Sequence, residues 1–346
     1  MPAAFTTISG VRAAAILHPY VGESVLKRFR APGVEIFQRN VLECNDLPDV
    51  ALVFGGDGSV NRLLHALAHS QCPLLPVPTG SANDFARALG IGSRGEALLA
   101  WKRYLAKRDN VRTIDLGVLT EPEAEASDAE WKPPVPTMTF ADPEGRFKKP
   151  ESALAPHIQH NEMRHAVRLA EQARERIYFA SVAGVGLDAA ANEYASRMPR
   201  WMKRTGGYAI SAMRALTTYK ASTITVRAET ASGTLSISGP VLIAAFGNSP
   251  FFGNGMRILP RARVDDGLLD LCFVRDVPKS RVIREFPKLY SGRHTELDVV
   301  EYAQVMSVVI ESDKPLPVCA DGERVGITPV RASAAARALQ VIVPAP

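Results

Sequence analysis

Two stretches near the start of the chain constrain its fold more than any other feature. In residues 51–61, ALVFGGDGSVN, an apolar run breaks at glycines around Asp57 and resumes as the helical pattern Val60, Leu63, Leu64, Leu67. In residues 74–87, LLPVPTGSANDFAR, an apolar run again meets small polar residues, and a helix follows. Short apolar runs bounded by turn signals read as buried strands. Glycines let a backbone approach an anion and aim its N–H groups at it, and a helix N-terminus adds a favourable partial charge. Neither stretch is a Gly-x-x-x-x-Gly-Lys-Ser/Thr loop or a Gly-x-Gly-x-x-Gly fingerprint. Turns of this kind on neighbouring parallel strands open on one sheet edge, where open α/β sheets bind ligands.

The remaining sequence extends this frame. Residues 11–17 read as the first strand, ending at His18-Pro19-Tyr20-Val21-Gly22, and residues 95–106 as a helix with one apolar face. Residues 111–119 lead out as a strand. From residue 177 short β-branched runs dominate, which suggests a β-sandwich. Residues 119–176, acidic and Ala-rich and then rich in Pro and Lys, read as a loosely packed insertion. The expected division is an α/β unit over 1–118, the insertion over 119–176 and a β-sandwich over 177–335, with a strand over 336–346 returning to the first unit.

With 346 residues the chain is long enough for two cores. No run of about 18 apolar residues occurs, and the start lacks the pattern of a signal peptide. The four cysteines have no metal-ligand spacing, so the expected compartment is the cytosol. A net charge of +5 favours anionic surfaces. No zinc-finger spacing, basic tract or RNA-binding motif supports nucleic acid as the partner. The basic, aromatic-bearing segment 197–220 and the smaller one at 278–290 could rest on anionic lipid or be solvated helix faces.

Further motifs follow in order: Gly184-Val185-Gly186-Leu187-Asp188-Ala189, then Gly247-Asn248 with residues 251–256, FFGNGM. Residues 260–270, PRARVDDGLLD, and Ala320-Asp321-Gly322-Glu323 complete the set. Read alone, Asp57 is either a helix cap or a group that orients water or Mg²⁺. Asp321 and Glu323 are either acids on one face of an extended segment, able to raise one another's pKa, or parts of a D-G turn. Taken together these motifs resemble the bacterial diacylglycerol kinase catalytic domain family, lipid kinases related to sphingosine and ceramide kinases and distantly to NAD kinases. The resemblance covers nearly the whole chain except the insertion. His18 departs from it, since the family usually carries Asn there.

The resemblance implies an α/β plus β fold: an open nucleotide-binding domain followed by a β-sandwich, NAD kinase/diacylglycerol kinase-like. It implies an ATP-dependent lipid kinase with His18, Pro19, Gly22, Gly55, Gly56, Asp57, Gly58, Ser59, Asn61, Gly80, Ser81, Asn83 and Asp84 around the nucleotide. Catalysis would rest on Asp321, Glu323 and Asp57. A Mg²⁺ would be held by Asp266 and the carbonyls of Arg263 and Leu268, apart from the Mg²⁺ that travels with ATP. Diacylglycerol is the simplest acceptor; a sphingoid base or ceramide, an NAD kinase-like soluble nucleotide, or an inactive ATP-binding membrane-docking protein are the alternatives. The expected setting is cytoplasmic, with transient contact at the anionic inner face of a membrane and no nucleic acid; a homodimer is left open.

Overall fold

The computed structural model of the chain describes residues 10–122, 176–196 and 207–344. Nearly all of the expected insertion, and Arg200, Trp201, Lys203 and Arg204 of the basic segment, lie outside the described residues. Strands β1 (Val11–Leu17), β2 (Val34–Gln38), β3 (Val50–Gly55) and β4 (Leu74–Pro78) run parallel in the order β2-β1-β3-β4. β3 is buried throughout and β4 nearly so. Strands covered on both faces need continuous apolar runs, which is what these sequences supply. Helices α1 (Glu23–Lys27), α2 (Asp57–Asn61), α3 (Leu64–Leu67), α4 (Asp84–Ala88) and α5 (Arg94–Lys107) connect and cover them. Ser93 caps α5 by accepting the Glu96 N–H, and Trp101 on its buried face donates to the Phe29 carbonyl at 2.7 Å. Because β1 has β2 on one side and β3 on the other, the connections diverge at the carboxyl ends of β1 and β3. A crevice opens there.

β5 (Val111–Thr120) leaves this layer. It is followed by β6 (Ile177–Phe179), β7 (Val182–Gly186), α6 (Leu187–Ser196), α7 (Gly207–Thr218), β8 (Ser222–Thr230) and β9 (Gly233–Gly247). Then come β10 (Leu269–Arg275), α8 (Lys279–Glu285), α9 (Lys288–Ser291), β11 (Val300–Val305), β12 (Ser307–Ser312), β13 (Pro317–Ala320), β14 (Glu323–Ile327) and β15 (Val330–Ile342). β9 pairs with β8 up to Val241 and with β7 and β10 beyond it. The change follows Gly239, at a φ of +150°. A strand that bends from one layer into the next turns the corner of a sandwich. Phe179, Phe246, Phe273, Val226 and Ile310, drawn from both layers, share one core.

β15 also serves two partners. Residues 330–335 pair with β12 and β5. After an irregularity between Ala335 and Leu339, the strand continues along β5 and meets Leu74 of β4 in parallel at Val341. Arg337, at φ +53°, donates its N–H to Asp115 at 2.6 Å within that break. Leu339, Val341, Ile342 and Val343 then fill the core of the α/β layer. The architecture is thus an α/β unit joined to a β-sandwich through one continuous 15-stranded sheet. Among the described residues no helix is long and apolar enough to cross a membrane.

Candidate active site

Three turns meet at the crevice. The His18 N–H donates to the Phe54 carbonyl at 2.9 Å, so the turn that carries Pro19 and Gly22 stands beside Gly55. The N–H groups of Thr79 and Gly80 both donate to the Gly55 carbonyl. Gly56 and Gly80 are glycines because the second and third turns touch backbone to backbone. A Cβ on Gly56 would lie 2.6 Å from the Ala82 carbonyl oxygen, and one on Gly80 2.6 Å from the Gly56 Cα. Ser59 is buried with its hydroxyl against Gly55, whereas Ser81 is exposed. The Asn83 side chain closes its own turn, accepting from the Gly80 N–H and donating to the Gly80 carbonyl, each at 3.1 Å.

Gly58 differs from Gly56. A Cβ there would meet only the Glu323 carboxylate, at 3.6 Å, an ordinary contact. Gly58 is therefore the position where bulk tests the ligand rather than the fold. In Gly58→Ala the helix gains propensity, worth up to about 1 kcal/mol, so the melting temperature holds or rises. If this turn holds the ATP phosphates, the added methyl crowds them, and kcat/KM for ATP falls about tenfold, roughly the 1.4 kcal/mol of one lost contact. Steady-state kinetics with a thermal melt checks both. Gly56→Val, by contrast, drives side-chain atoms into Ala82 and unfolds the site.

Asp57 caps a helix, but not its own. Its two carboxylate oxygens accept the N–H groups of Asp84 and Phe85, each at 3.0 Å, so it ties α2 to the N-terminus of α4. Loss of solvation, with Asp84 and Asp321 close by, pushes its pKa up to about 7. Asp84 is buried, pairs with Arg87 and accepts the Asn254 N–H at 2.7 Å. Burial raises its pKa as well. Arg87 in turn faces the Phe251 ring. The loop at residues 251–256 is thereby fastened to the second turn, a connection no local pattern in the sequence announces.

The two acids of the Asp321-Gly322-Glu323 motif do not share a face of an extended segment. Asp321 and Gly322 have φ of +49° and +84°, and Ala320 pairs with Glu323 across them. Positive φ at both central residues makes a two-residue hairpin turn, for which Asp-Gly is a favoured sequence. The Asp321 carboxylate accepts the N–H groups of Ala180 at 2.7 Å and Ser181 at 2.9 Å and the Asn61 side-chain amide at 3.0 Å. It holds β13 against the β6–β7 connection and against α2. Asn61 is accordingly engaged with Asp321. Glu323 is exposed, has no side-chain hydrogen bond or ion pair among the described residues, and hangs over Gly58.

In the loop before β10, Asp265 pairs with Arg112 and lies 3.6 Å from Arg263, which holds its pKa below the usual carboxylate range. Asp266 stays half-buried, accepting from the Leu268 N–H at 3.1 Å and from Gln304 at 3.2 Å. Behind it Asp270 is buried beside Tyr302 and Gln304; burial raises its pKa and Asp266 adds to the rise, while Tyr302, Gln304 and Arg261 oppose it. Asp115, the other buried acid here, accepts the N–H groups of Gly267 and Arg337, each at 2.6 Å, and so joins this loop to the break in β15. Among the described residues no group of three or more His, Cys, Asp or Glu could hold a metal by side chains alone. Any ion here would rely on carbonyls.

On the far side of the 251–256 loop lies an apolar cavity of about 830 Å³, its open mouth included. Phe252, Met256, Leu187, Val274, Phe286 and Leu289 line it. Asp188 contributes to its wall but is buried, with its carboxyl turned beside Gly184, where a Cβ would lie 2.5 Å from the carboxyl oxygen. Its Oδ1 has no partner, and burial lifts its pKa to about 7. The unfolded chain ionises this group near its ordinary value of 3.8, while the folded chain keeps the proton until about 7. The contribution of this group to stability is therefore fully present below pH 4 and is lost as pH rises through 7. In Asp188→Asn that loss disappears, and the variant gains about 2–4 kcal/mol over the parent at pH 8 relative to pH 4. Urea titrations at the two pH values check it.

Comparison with known proteins agrees with this arrangement. A family model described as diacylglycerol kinase catalytic domain matches residues 31–119, and one described as YegS C-terminal NAD kinase beta sandwich-like domain matches residues 181–343. A diacylglycerol kinase of Mycobacterium tuberculosis is 28% identical over 296 residues, which cover 86% of this chain and 77% of that protein. A candidate YegS-like lipid kinase of Chromohalobacter salexigens is 27% identical over 274 residues, 78% of this chain and 68% of its own. The crystal structure of a diacylglycerol kinase from Bacillus anthracis has the same fold, with a TM-score of 0.58 at 17% identity over 96% of each chain. The unit of glycine turns and the sandwich are each matched in order by models of the diacylglycerol kinase catalytic domain and of the YegS-type β-sandwich, and the chain is a lipid kinase.

Proposed function

We propose that the chain transfers the γ-phosphate of ATP to the free hydroxyl of diacylglycerol, giving phosphatidic acid. The cavity favours a neutral lipid of this kind over a sphingoid base. Its wall is apolar, and its acids offer no firm counter-ion for an amine: Asp188 keeps its proton up to about 7, and Glu285 is paired with Arg284 and Lys288. A neutral lipid suits such a pocket better than a cationic sphingoid base. The turns at 18–22, 55–59 and 79–83 would hold the phosphates by backbone N–H groups. Glu323 would take the hydroxyl proton as the oxygen bonds to phosphorus and the bond to the ADP oxygen breaks, then release it to water. Asp321 positions the hairpin that carries Glu323.

A Mg²⁺ suits the loop before β10, because the loop sets two carboxylates, Asp266 and the buried Asp270, close enough to repel one another. Asp266 and the carbonyls of Arg263 and Leu268 would hold it, with Asp270 behind, an oxygen-only set fit for a hard cation. Its chemistry there is structural: fixing the loop against the sheet. Chelation should lower the parent's melting temperature, and Asp266→Asn should abolish that response, since a ion bound only by the folded state stabilises it. Differential scanning calorimetry with and without chelator reads this.

The function is tested by labelled phosphate transfer from ATP to diacylglycerol, sphingosine, ceramide and NAD supplied separately. Label in phosphatidic acid is expected. Label confined to sphingosine, ceramide or NAD would overturn the assignment of acceptor.

A further inference from the structure

The cavity is walled on one side by α7, α8 and α9, and each of these brings one large apolar residue to the surface. Ile210, Ile283 and Tyr290 are 48%, 57% and 47% exposed. Each stands beside cavity-lining residues on its own helix, namely Ala212 and Met213, Val282, and Leu289. α8 and α9 bury no residue fully. Their inward side chains Val282, Phe286 and Leu289 remain half-buried, packed toward the cavity rather than into a core. Short helices with apolar residues both toward a cavity and toward the outside are poorly matched to water on their outer face.

The charge around these tips is mostly positive. Residues 207–220 and 279–298 together hold seven cations (Arg214, Lys220, Lys279, Arg281, Arg284, Lys288, Arg293) and three carboxylates (Glu285, Glu296, Asp298). Glu285 is shared by Arg284 and Lys288, Asp298 pairs with Arg281, and Glu296 with Arg293. Lys279 donates to the Thr217 carbonyl at 2.6 Å, which ties α8 to α7, and Arg214 lies over the Tyr194 ring. Each of these three carboxylates is thus matched; Asp276, exposed next to the cavity-lining Val277, has no ion pair among the described residues, and an excess of positive charge still remains.

We propose that this face docks on an anionic bilayer, with Ile210, Ile283 and Tyr290 entering the interfacial region and the surplus cations meeting lipid phosphates, so that the cavity mouth opens against the acyl layer. The inference rests on a lipid being the acceptor. A two-chain lipid strongly resists passage through water, so a cavity meant for it must meet the membrane directly. Exposed apolar side chains ringed by cations are what anionic interfaces bind. Among the described residues, the other large exposed apolar side chains, Tyr20, Val41, Leu99, Val111 and Met306, lie on elements that do not wall the cavity.

The test is flotation of the whole chain with vesicles, without ATP, so that it is independent of which lipid is phosphorylated. The parent should float with phosphatidylcholine vesicles containing about 30% phosphatidylglycerol, weakly with pure phosphatidylcholine, and less at high salt. Ile283→Ser and Tyr290→Ser should each weaken partition about tenfold, the scale of one buried large apolar side chain. Leu99→Ser, on α5, should float like the parent. Melting temperatures check folding, and if Ile283→Ser melts early, Tyr290→Ser carries the result. Equal flotation of both variants and the parent, or no flotation of the parent on anionic vesicles, would overturn the proposal. So would a dimer of the parent that Ile283→Ser dissolves while flotation is unchanged, which would give the face to a second copy of the chain.

Discussion

Glu323→Gln lowers turnover about 10²-fold or more, the usual scale for a lost general base, and leaves both the KM for ATP and the melting temperature where they were. The reasons lie in its surroundings. Glu323 is exposed and has no hydrogen bond or ion pair among the described residues, so the folded state loses nothing with the charge. Its carboxylate overlies Gly58, at the turn proposed to hold the phosphates, and it is the acid of its hairpin with oxygens left for a substrate proton. Glutamine keeps the shape and cannot accept the proton. A fall in kcat with unchanged KM is the mark of an interaction made only in the transition state. Turnover within threefold of the parent on an accepted lipid would remove Glu323 from the chemistry, and Asp57 would become the leading candidate.

Asp321→Asn behaves differently: it destabilises the fold by about 2–4 kcal/mol, the sum of a lost charge-assisted bond and a donor left facing a donor. Three donors converge on the two oxygens of Asp321, two from the backbone of Ala180 and Ser181 and one from Asn61. An amide presents one oxygen and an NH₂, so one bond must be lost and an N–H must face another. The backbone is not the problem, since asparagine tolerates the φ of +49° found here. The midpoint of urea denaturation reads the effect directly. If the midpoint stayed in place while turnover alone fell, Asp321 would be acting on the substrate rather than on its own hairpin.

That contrast between two acids one glycine apart marks where the sequence stops being legible. The parallel strands, the helix after each turn and the later run of short strands were readable, because burial on two faces and period-2 alternation leave their patterns in consecutive residues. So was the grouping of the glycine turns at one sheet edge. The roles within the site were not. Asp57 looks from sequence like a cap for the helix it begins, yet it caps α4, which only the packing of one turn on another reveals. Asp-Gly between apolar residues can be a strand or a turn, and the turn separates Asp321 from Glu323. Asp115 is a single acid in apolar surroundings, with no spacing to mark it, and its partners Gly267 and Arg337 are distant in the chain. Asp188 stands in the motif 184–189, but nothing in that motif shows that its carboxyl is buried.

The break in β15 has a consequence for the order in which the molecule can come together. Residues 339–343 are synthesised after every other described strand, yet they fill the core of the first one built. Until they arrive, β4 lacks its outer neighbour and the α/β layer has an open flank. Closing it is a contact between residues far apart in the chain, which is slow to form because a long loop must close first. Since the first half of β15 belongs to the sandwich, the two cores are completed by one strand in one event. Until residues 339–343 are made, the nascent chain therefore holds the turns at 55–59 and 79–83 on an unfinished scaffold.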